Sequence, residues 1–290
     1  MTHLAVLGTG KMGSAIARRL AGIDPGIALW NRTRSRADAL GIGHVADTPA
    51  DAVRGADLVV SSLTGPDAVR SAYFGERGAL SVREPVLFVE MSTVGPEVID
   101  ELRPRVEEIG GGLLDAPILG APTVVDQGAA AVLVGGARPD ADRAEEALSR
   151  IGEVRYVGPS GSAARLKLVA NSMLAAIIAE AAELQVAGED AGLGRDDVFW
   201  VLVRMAPVLG PRRAGYLEDR HEPALFTVRD LRKDVHLALE MFARAAASTP
   251  ITAAAASRVD ETSERWPGLD ITAVIRAYHP QEQSRSSADR

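Results

Sequence analysis

The amino-acid sequence predicts an α/β fold with a doubly wound, largely parallel sheet, followed by an all-α domain that a long helix joins to it. Three observations support this prediction. Short apolar runs alternate with helical patterns as far as Gly158, a glycine-rich turn directly follows the first apolar run, and from Ser162 onward the patterns are helical. The chain has 290 residues, 47% of them hydrophobic, which is enough to bury a core in each of two domains.

The first alternating unit consists of a strand at residues 3–7, a tight turn and a helix at residues 14–21. The turn has the pattern GxGxxG and is formed by Gly8, Thr9, Gly10, Lys11, Met12 and Gly13. Between a strand and a helix this pattern is typical of a Rossmann-type dinucleotide fingerprint, in which the second glycine lets the backbone approach a pyrophosphate. The alternative is a glycine turn that binds nothing, and the strand-turn-helix context makes it the weaker interpretation.

The loop after the second strand indicates which dinucleotide would bind. That strand is predicted at residues 26–30. Asn31, Arg32 and Thr33 follow it, and Arg34 and Arg36 come shortly after them. An acidic residue here would hold the ribose 2′-hydroxyl of NAD, whereas arginine donates paired hydrogen bonds to a 2′-phosphate. The loop therefore favours NADP as the cofactor. The alternative is a solvated basic loop, so this prediction depends on the glycine turn before it.

Further strands and helices follow in the same alternation. Strands are predicted at residues 56–63, 86–91, 112–119 and 130–134, and helices at residues 67–73, 96–109 and 139–151. Loops at the carboxyl ends of such strands hold ligands. The candidate contacts in these loops are Leu63, Thr64 and Thr93 for the cofactor, and Ser92, Leu119, Gly120 and Ala121 for the substrate. For Ser92 and Thr93, capping of the helix near residue 96 is an equally good explanation.

The second half of the chain reads as helices only. A long helix is predicted from residue 162 to about residue 192, and further helices at residues 196–205, 228–247, 252–264 and 271–278. We therefore expect a dinucleotide-binding domain at residues 1–160, an all-α domain for substrate binding and dimerisation at residues 161–280, and a disordered polar tail at residues 281–290.

Near the start of the long helix, Lys167 and Asn171 lie four residues apart and hence on one helical face. Apolar residues surround Lys167 in the sequence, so a cation at this position needs an explanation. One interpretation is a lysine whose stem packs against the core while its ammonium reaches water. The other is a lysine with a chemical role.

Composition excludes several other functions. A formal net charge of -7 argues against nucleic acid or an anionic membrane surface as the main partner. The chain has no cysteine, and no cluster of histidine and carboxylate residues has the spacing of metal ligands, so we expect no metal. The first residues become glycine-rich too early for a signal peptide, and the longest apolar run is shorter than the roughly 20 residues that a bilayer requires. We expect a cytoplasmic protein.

Five motifs in order resemble those of the β-hydroxyacid dehydrogenase family, which includes 3-hydroxyisobutyrate dehydrogenase and the glyoxylate or succinic semialdehyde reductases. They are LGTGKMGSAIARRL, WNRT, EMST with DAPILGAP, GSAARLKLVAN and FTVRDLRKDVHLA. The resemblance implies that Lys167 is the catalytic residue and that Asn171 helps to place the substrate. It also implies that Lys233 and Asp234 face the nicotinamide end of the cleft, Lys233 towards the cofactor and Asp234 towards the substrate.

The expected reaction is hydride transfer between NADPH and a small aldehyde or ketone of the semialdehyde or hydroxy acid type. Lys167 would donate the proton in reduction and accept it in oxidation, helped by a pKa that burial or a nearby cation such as Lys233 would lower. We read His236 as a residue of a helix surface rather than as a general base. The apolar helices also predict a homodimer.

The chain departs from the family pattern at one position. Members that act on hydroxy acids usually carry a serine and two glycines where this chain has Leu119, Gly120 and Ala121. The leucine cannot hydrogen-bond a substrate carboxylate, so the substrate class stays open. Two alternatives also stay open: an imine reductase, although imine reductases typically replace the catalytic lysine, and a catalytically silent NADP-binding protein.

Overall fold

A mainly parallel sheet of nine strands forms the centre of the first part of the chain. The structure is a computed structural model and describes residues 3–278. Within that range the strands are β1 (Leu4–Leu7), β2 (Ala28–Trp30), β3 (His44–Val45), β4 (Leu58–Ser61), β5 (Leu87–Glu90), β6 (Gly112–Asp115), β7 (Ile118–Leu119), β8 (Ala130–Gly135) and β9 (Gly152–Gly158). The order is β3-β2-β1-β4-β5-β6-β8-β7, with β9 beside β8. Strands β1 to β6 are parallel to one another, whereas β8 runs antiparallel to β6 and β7 and parallel to β9.

Helices cover the sheet and make up the rest of the described chain. They are α1 (Lys11–Leu20), α2 (Arg34–Asp38), α3 (Pro49–Val53), α4 (Pro66–Phe74), α5 (Pro96–Glu107), α6 (Pro122–Asp126), α7 (Arg138–Ser149), α8 (Ser162–Asp190), α9 (Arg195–Met205), α10 (Arg213–Leu217), α11 (Val228–Arg244) and α12 (Pro250–Arg265). Short 3₁₀ helices occur at Ala79–Val82, Pro207–Arg212 and Ile271–Ala277.

Each face of the sheet packs against its own apolar core, because side chains alternate along a strand. In β1, Leu4 and Val6 belong to a core that includes residues of α1 and α7. Ala5 and Leu7 point the other way, into a core with residues of α4 and α5. Burial on both faces explains why the central strands read as continuous apolar runs. The predicted doubly wound, largely parallel sheet is confirmed.

Several short elements differ from the prediction. The single strand predicted at residues 112–119 is two strands, β6 and β7, separated at Pro117, which has no backbone N–H to continue a ladder. Strand β9 was not predicted, because most of its residues are half-buried or exposed and form no apolar run. The last predicted helix, at residues 271–278, is a 3₁₀ helix.

The chain divides into two units between Leu168 and Val169. The predicted long helix is present as α8, whose 29 residues begin in the first unit and continue into the second. In the second unit, buried residues of α8 such as Ala175, Ile178 and Ala182 pack with residues of α9, α11 and α12 in a third apolar core. This confirms the predicted helical second domain. The tail predicted at residues 281–290 lies outside the described residues.

By length and composition, α8 also matches a membrane-spanning helix, since it contains an 18-residue window with a mean hydropathy of 1.3. Of that window, 44% is buried inside the protein. One such helix is weak evidence for a membrane, because the core helix of a soluble protein passes the same test.

A buried histidine fastens the segment after α10 to the last 3₁₀ helix. His221 is only 4% exposed, with Nδ1 2.8 Å from the hydroxyl of Thr272 and Nε2 2.8 Å from Asp219. Asp219 also accepts hydrogen bonds from Arg276. The arrangement resembles a hydroxyl-histidine-carboxylate triad, but Thr272 is 1% exposed and out of reach of a substrate, so the group is structural.

His221 makes the stability of the second unit dependent on pH. Burial lowers the pKa of His221 below the ordinary value of 6.5. Its contribution to stability is therefore complete above pH 6.5 and is lost as the pH falls from there towards the folded-state pKa, because the unfolded state then binds more protons. We expect the midpoint of thermal unfolding, followed by circular dichroism, to fall between about pH 7.5 and about pH 5.5. His221→Gln is expected to flatten that dependence, and equal slopes in both proteins would contradict the assignment.

Candidate active site

The glycine turn after β1 combines two packed glycines with one that faces open space. Gly8 has φ +100°, and a Cβ there would lie 2.2 Å from the carbonyl oxygen of Ser62. A Cβ on Gly13 would lie 2.0 Å from the carbonyl oxygen of Gly8, so helix and turn pack without room for a side chain. A Cβ on Gly10 would meet nothing within 4 Å. The turn is therefore tight where it packs and open where a ligand would approach.

Two polar features of the turn fit a phosphate-containing ligand. The hydroxyl of Thr9 is buried and has no hydrogen-bond partner among the described residues. Gly10 is the N-cap of α1 and provides no side-chain cap, so no side chain at the cap satisfies the first N–H groups of this helix. Such N–H groups bind anions. These residues fit the pyrophosphate of a dinucleotide.

Asn31 joins the glycine turn to the loop after β2. Its Oδ1 accepts a hydrogen bond of 3.0 Å from the backbone N–H of Thr9, and its Nδ2 donates to the carbonyl oxygen of Thr33 at 2.9 Å. Both ends of the amide are thus used to hold two loops together. Sequence reasoning placed Asn31 at the cofactor but did not foresee this link.

The arginines of the same loop differ in their contacts. Arg34 pairs with Asp47 and donates to the carbonyl oxygen of Val45 at 3.0 Å. The exposed side chains of Arg32 and Arg36 form no hydrogen bond or ion pair within residues 3–278. The guanidinium of Arg32 therefore has no contact within the described residues that would compete with a ligand, whereas Arg34 is held by the protein itself.

The other predicted cofactor contacts lie around this turn. Lys11 and Thr64 are exposed, and Met12 is half-buried against the core beneath α1. Leu63 lies close to Gly8, since its Cδ2 would be 2.9 Å from a Cβ there. Its backbone N–H donates to the hydroxyl of Ser92 at 2.8 Å. Thr93 is half-buried.

Helix capping does not explain Ser92. The N-cap of α5 is Gly95, with no side-chain hydrogen bond at the cap. The hydroxyl of Ser92 instead accepts from the loop after β4, so Ser92 connects two loops at the carboxyl edge of the sheet.

Asp115 fixes the start of α8. Its carboxylate oxygens accept hydrogen bonds of 2.8 Å from the backbone N–H groups of Gly161 and Ala164. The side chain is 1% exposed, and burial raises the pKa of Asp115 while these bonds oppose the rise. The motif DAPILGAP begins with this residue, but the sequence analysis assigned no role to it. The feature that could have indicated a role is a carboxylate at the end of a predicted buried strand.

Lys167 lies one turn further along α8 and contacts the same segment as Asp115. Its side chain is half-buried, and Nζ donates a hydrogen bond of 2.8 Å to the carbonyl oxygen of Ile118. The predicted substrate residues follow Ile118 directly: Leu119 is half-buried in β7, Gly120 is exposed with φ +153°, and Ala121 is the N-cap of α6. The first unit therefore brings Lys167 to the predicted substrate loop.

The second unit contains a separate polar cluster. Asp234 is 2% exposed, and its carboxylate accepts from the side-chain amide of Asn171 and pairs with the ammonium of Lys233. Three of the predicted site residues thus contact one another. The carboxylate holds the amide of Asn171 in one orientation, which would suit a residue that positions a substrate.

His236, four helical positions along from Arg232, is on the surface as expected. Its side chain is 42% exposed and contacts Asp260, which also pairs with Arg232. Within residues 3–278 no group of three or more histidine, aspartate or glutamate side chains could hold a metal ion.

Comparison with known families matches both parts of the chain. Residues 3–158 match the NAD binding domain of 6-phosphogluconate dehydrogenase. Residues 161–278 match the domain described as the NAD-binding domain of NADP-dependent 3-hydroxyisobutyrate dehydrogenase. The chain belongs to the β-hydroxyacid dehydrogenase family. Membership in this family supports an NAD(P)-dependent oxidoreductase.

Curated relatives in the β-hydroxyacid dehydrogenase family carry different names. Glyoxylate/succinic semialdehyde reductase 1 of Arabidopsis thaliana is 27% identical over 284 residues, which cover 95% of this chain and 98% of the relative. Cytokine-like nuclear factor N-PAC of Danio rerio is 28% identical over 289 residues. That match covers 95% of this chain but only 62% of N-PAC, so the chain spans about three-fifths of this longer relative.

Solved structures of other proteins have the same fold. The 3-hydroxyisobutyrate dehydrogenase of Mycobacterium tuberculosis, solved with L-serine, superimposes with a TM-score of 0.82 at 27% identity and covers 95% of this chain and 98% of its own. An imine reductase from a Pseudomonas species gives a TM-score of 0.63 at 22% identity, with coverage of 96% and 99%. The second likeness shows the fold alone.

Asp115→Ala is expected to lower the midpoint of thermal unfolding by about 4–8 °C, because two buried N–H groups lose their acceptor at a cost of about 2 kcal/mol. Circular dichroism measures the change. Asp115→Asn keeps one acceptor oxygen but turns a donor towards the second N–H group, so it should also lower the midpoint. If the asparagine variant unfolded at the midpoint of the unsubstituted protein, the carboxylate would not be acting as the acceptor for both groups.

Proposed function

We propose that this protein is an NADP-dependent reductase or dehydrogenase that transfers a hydride between NADPH and a small aldehyde or ketone. The observation that carries the proposal is the position of Lys167, which is half-buried and donates to the carbonyl oxygen of Ile118 directly before the predicted substrate loop. Because its ammonium is bound to a backbone carbonyl oxygen, we favour a role in proton transfer over the interpretation that the ammonium only reaches water.

Lys167 acts as the proton donor in this proposal. When bound, NADPH supplies the hydride. As the carbonyl oxygen of the substrate gains negative charge, the ammonium of Lys167 donates a proton to it, and the neutral amine takes a proton back in oxidation. The hydrogen bond to Ile118 sets the direction of Nζ, so that less reorientation is needed during the reaction.

The polar cluster of the second unit positions the substrate. Asp234 accepts from the amide of Asn171, which leaves the amide oxygen of Asn171 turned away from that carboxylate. Asn171 would then orient the substrate without adding charge, and the pairing of Asp234 with Lys233 keeps the buried carboxylate neutralised.

The cofactor preference rests on Arg32. Its guanidinium is exposed and unpaired within residues 3–278, and residues 31–36, which directly follow β2, include no acidic residue to hold a ribose hydroxyl. The match of residues 161–278 to a domain named for an NADP-dependent enzyme supports the same preference.

The substrate is an aldehyde or ketone whose recognition differs from that of the usual hydroxy acids. Leu119 stands where a serine would donate to a carboxylate, so only backbone N–H groups of this loop remain as donors at that position. We propose a semialdehyde or hydroxy acid that uses those groups. Reduction of C=N bonds is the second candidate, and the retained Lys167 favours carbonyl chemistry over it.

The homodimer is also a proposal. Large apolar side chains are exposed on the second unit, namely Val169, Met173, Leu184, Leu193, Trp200, Val201, Met205, Val208 and Ile251. Exposed apolar surface of this kind is typical of an interface. A second copy of the chain would cover it.

Lys167→Ala is expected to lower turnover of carbonyl substrates by about 10²- to 10⁴-fold, the usual contribution of a positioned proton donor. NADPH oxidation with a panel of aldehydes, keto acids and cyclic imines measures this, and NADPH binding should persist. Arg165→Ala is the matched control, because two residues earlier on the helix the side chain points about 200° away. If turnover were unchanged in Lys167→Ala, Lys167 would not be the proton donor. Turnover of imines but not of carbonyl compounds by the unsubstituted protein would favour the second candidate.

Arg32→Ala is expected to raise the Kd for NADPH by about 10- to 100-fold, since a hydrogen bond to a charged group contributes about 1.5–3 kcal/mol. The Kd for NADH should stay the same, because NADH has no 2′-phosphate. Isothermal titration with both cofactors tests this. Arg34→Ala is the comparison, since Arg34 is already paired with Asp47. Equal affinity of the unsubstituted protein for NADH and NADPH would refute the role of Arg32.

Size-exclusion chromatography with light scattering tests the homodimer. The unsubstituted chain is expected to have twice its monomer mass at micromolar concentration. Met205→Glu should shift it towards monomer, because Met205 is 82% exposed and a charge there would be buried in the interface. A monomer in both samples would count against the proposal.

A further inference from the structure

A chain of buried hydrogen bonds ends at the carboxyl edge of β4 and β5. Ser61 and Glu90 are the last residues of these strands and are direct partners in the parallel register. Ser61 is 0% exposed and Glu90 is 1% exposed. Two polar side chains are therefore buried side by side beneath the loops that follow the strands.

Each hydroxyl of this hydrogen-bond network donates its proton towards Glu90. The hydroxyl of Tyr73, in α4, lies 2.7 Å from the hydroxyl of Ser61, which donates to Oε2 of Glu90 at 2.6 Å. The backbone N–H of Ser92 donates to Oε1 of Glu90 at 2.7 Å. In its ionised form Glu90 only accepts, so Ser61 donates its single proton to Glu90 and Tyr73 donates to Ser61. Glu90 is thus the final acceptor.

The hydrogen-bond network extends from Glu90 into the loops after β4 and β5. Ser92, whose N–H Glu90 fixes, accepts through its hydroxyl a hydrogen bond of 2.8 Å from the N–H of Leu63. The loop after β5 and the loop after β4 are therefore held to each other, and both are held to the sheet through one carboxylate.

Burial of this carboxylate is costly and needs an explanation. Within residues 3–278 Glu90 forms no ion pair. Burial raises the pKa of Glu90, and the hydrogen bonds from Ser61 and Ser92 act in the opposite direction. An apolar residue would fill the same core position without desolvating a carboxylate. The geometry around it indicates that the carboxylate is kept to set the loops.

The loops concerned lie on one side of the proposed cofactor site. In the order β2-β1-β4-β5, the glycine turn follows β1 and Arg32 follows β2. A dinucleotide that crosses the glycine turn with its 2′-phosphate near Arg32 must extend its other half over β4 and β5. That half carries the nicotinamide, and Leu63 and Ser92 belong to the loops beneath it.

We propose that Glu90 is a positioning residue that holds the loops after β4 and β5 together so that they bind the nicotinamide half of the dinucleotide. This inference rests on the proposed function, because it requires a nicotinamide dinucleotide at this edge of the sheet. Glu90 is too deeply buried to touch the cofactor and acts through Ser92 and Leu63.

Glu90→Gln tests the carboxylate with almost no change of shape. The amide nitrogen replaces one acceptor oxygen by a donor, which must face either the N–H of Ser92 or the hydroxyl of Ser61. A backbone N–H cannot turn away, so one arrangement opposes two donors. In the other, Ser61 accepts from the amide and from Tyr73 and must turn its own proton to the carbonyl oxygen of Val89, 3.5 Å away. Either way a buried donor has a poorer acceptor than in the unsubstituted protein.

The decisive comparison uses two probes that differ only in the nicotinamide. NADPH contains it, whereas 2′-phosphoadenosine 5′-diphosphoribose lacks it and keeps the groups that the glycine turn and Arg32 would bind. Titration calorimetry on the full chain gives the Kd for each. Glu90→Gln is expected to raise the Kd for NADPH about tenfold and to change the Kd for the fragment by less than about twofold.

Thr48→Ala is the matched control. Its hydroxyl, which is part-buried, accepts from the N–H of Asp51 at 3.1 Å and caps α3, a helix that contains none of the predicted cofactor residues. This variant should lower the unfolding midpoint and leave both Kd values unchanged. It separates a general loss of stability from a loss of loop position.

Each result of these titrations either supports or overturns the proposed role of Glu90. Equal weakening of both probes in Glu90→Gln would reveal a merely structural role and overturn the proposal, as would no weakening of either. If the unsubstituted chain bound neither probe, the proposed function itself would fail. If it bound both probes but turned over no substrate, the proposed reaction would fail while this inference would still stand.

If Glu90→Gln does not fold, Tyr73→Phe removes only the hydroxyl and keeps the ring beside Phe88. It should weaken NADPH selectively by about threefold, and a loss without selectivity would overturn the proposal.

Discussion

The two hydrogen bonds that Asp115 accepts from Gly161 and Ala164, at the start of α8, are the constraint on which the position of Lys167 depends. They fix where the helix begins, and the position of a side chain further along a helix follows from its start, because each residue adds a set rotation and rise. Lys167 then meets the carbonyl oxygen of Ile118, three residues after Asp115. One short segment thus determines both the origin of the helix and the direction of its lysine.

The same physical solution recurs across the sheet. Ser61, Glu90 and Asp115 are successive register partners in β4, β5 and β6, and all three end their strands. Their side chains form a buried polar row beneath the loops, and each carboxylate is satisfied by N–H or O–H donors rather than by a cation. Hydrogen bonds to a buried carboxylate are directional, whereas apolar packing is not. The row therefore gives the loops defined positions that a purely apolar edge would not provide.

Prediction from the sequence succeeded where a pattern is local. The buried strands β1, β4 and β5 read as apolar runs, and the glycine turn, Lys167 and Asn171 stand out within short motifs. It failed where the cause is distant in the chain or too weakly patterned. Strand β9 is mostly exposed and shows no apolar run. Asp115 contacts a residue 46 positions away, and Glu90 acquires its partner only through strand register, which no single motif encodes. Pro117 shows the opposite case, since its missing N–H was visible but its effect on a predicted strand was overlooked.

Asn31 and Arg32 are adjacent in the sequence, but only the side chain of Asn31 holds the loops together through hydrogen bonds. Its amide is used at both ends to tie the glycine turn to the next loop, so an aspartate there would keep the acceptor for Thr9 but lose the donor to Thr33. The adjacent Arg32 makes no such contact within the described chain. Under the proposed function, a substitution of Arg32 would alter cofactor selectivity and leave the two loops joined, whereas a substitution of Asn31 would remove a hydrogen bond between or within them. A residue that would select the ligand and a residue that holds the backbone are one peptide bond apart.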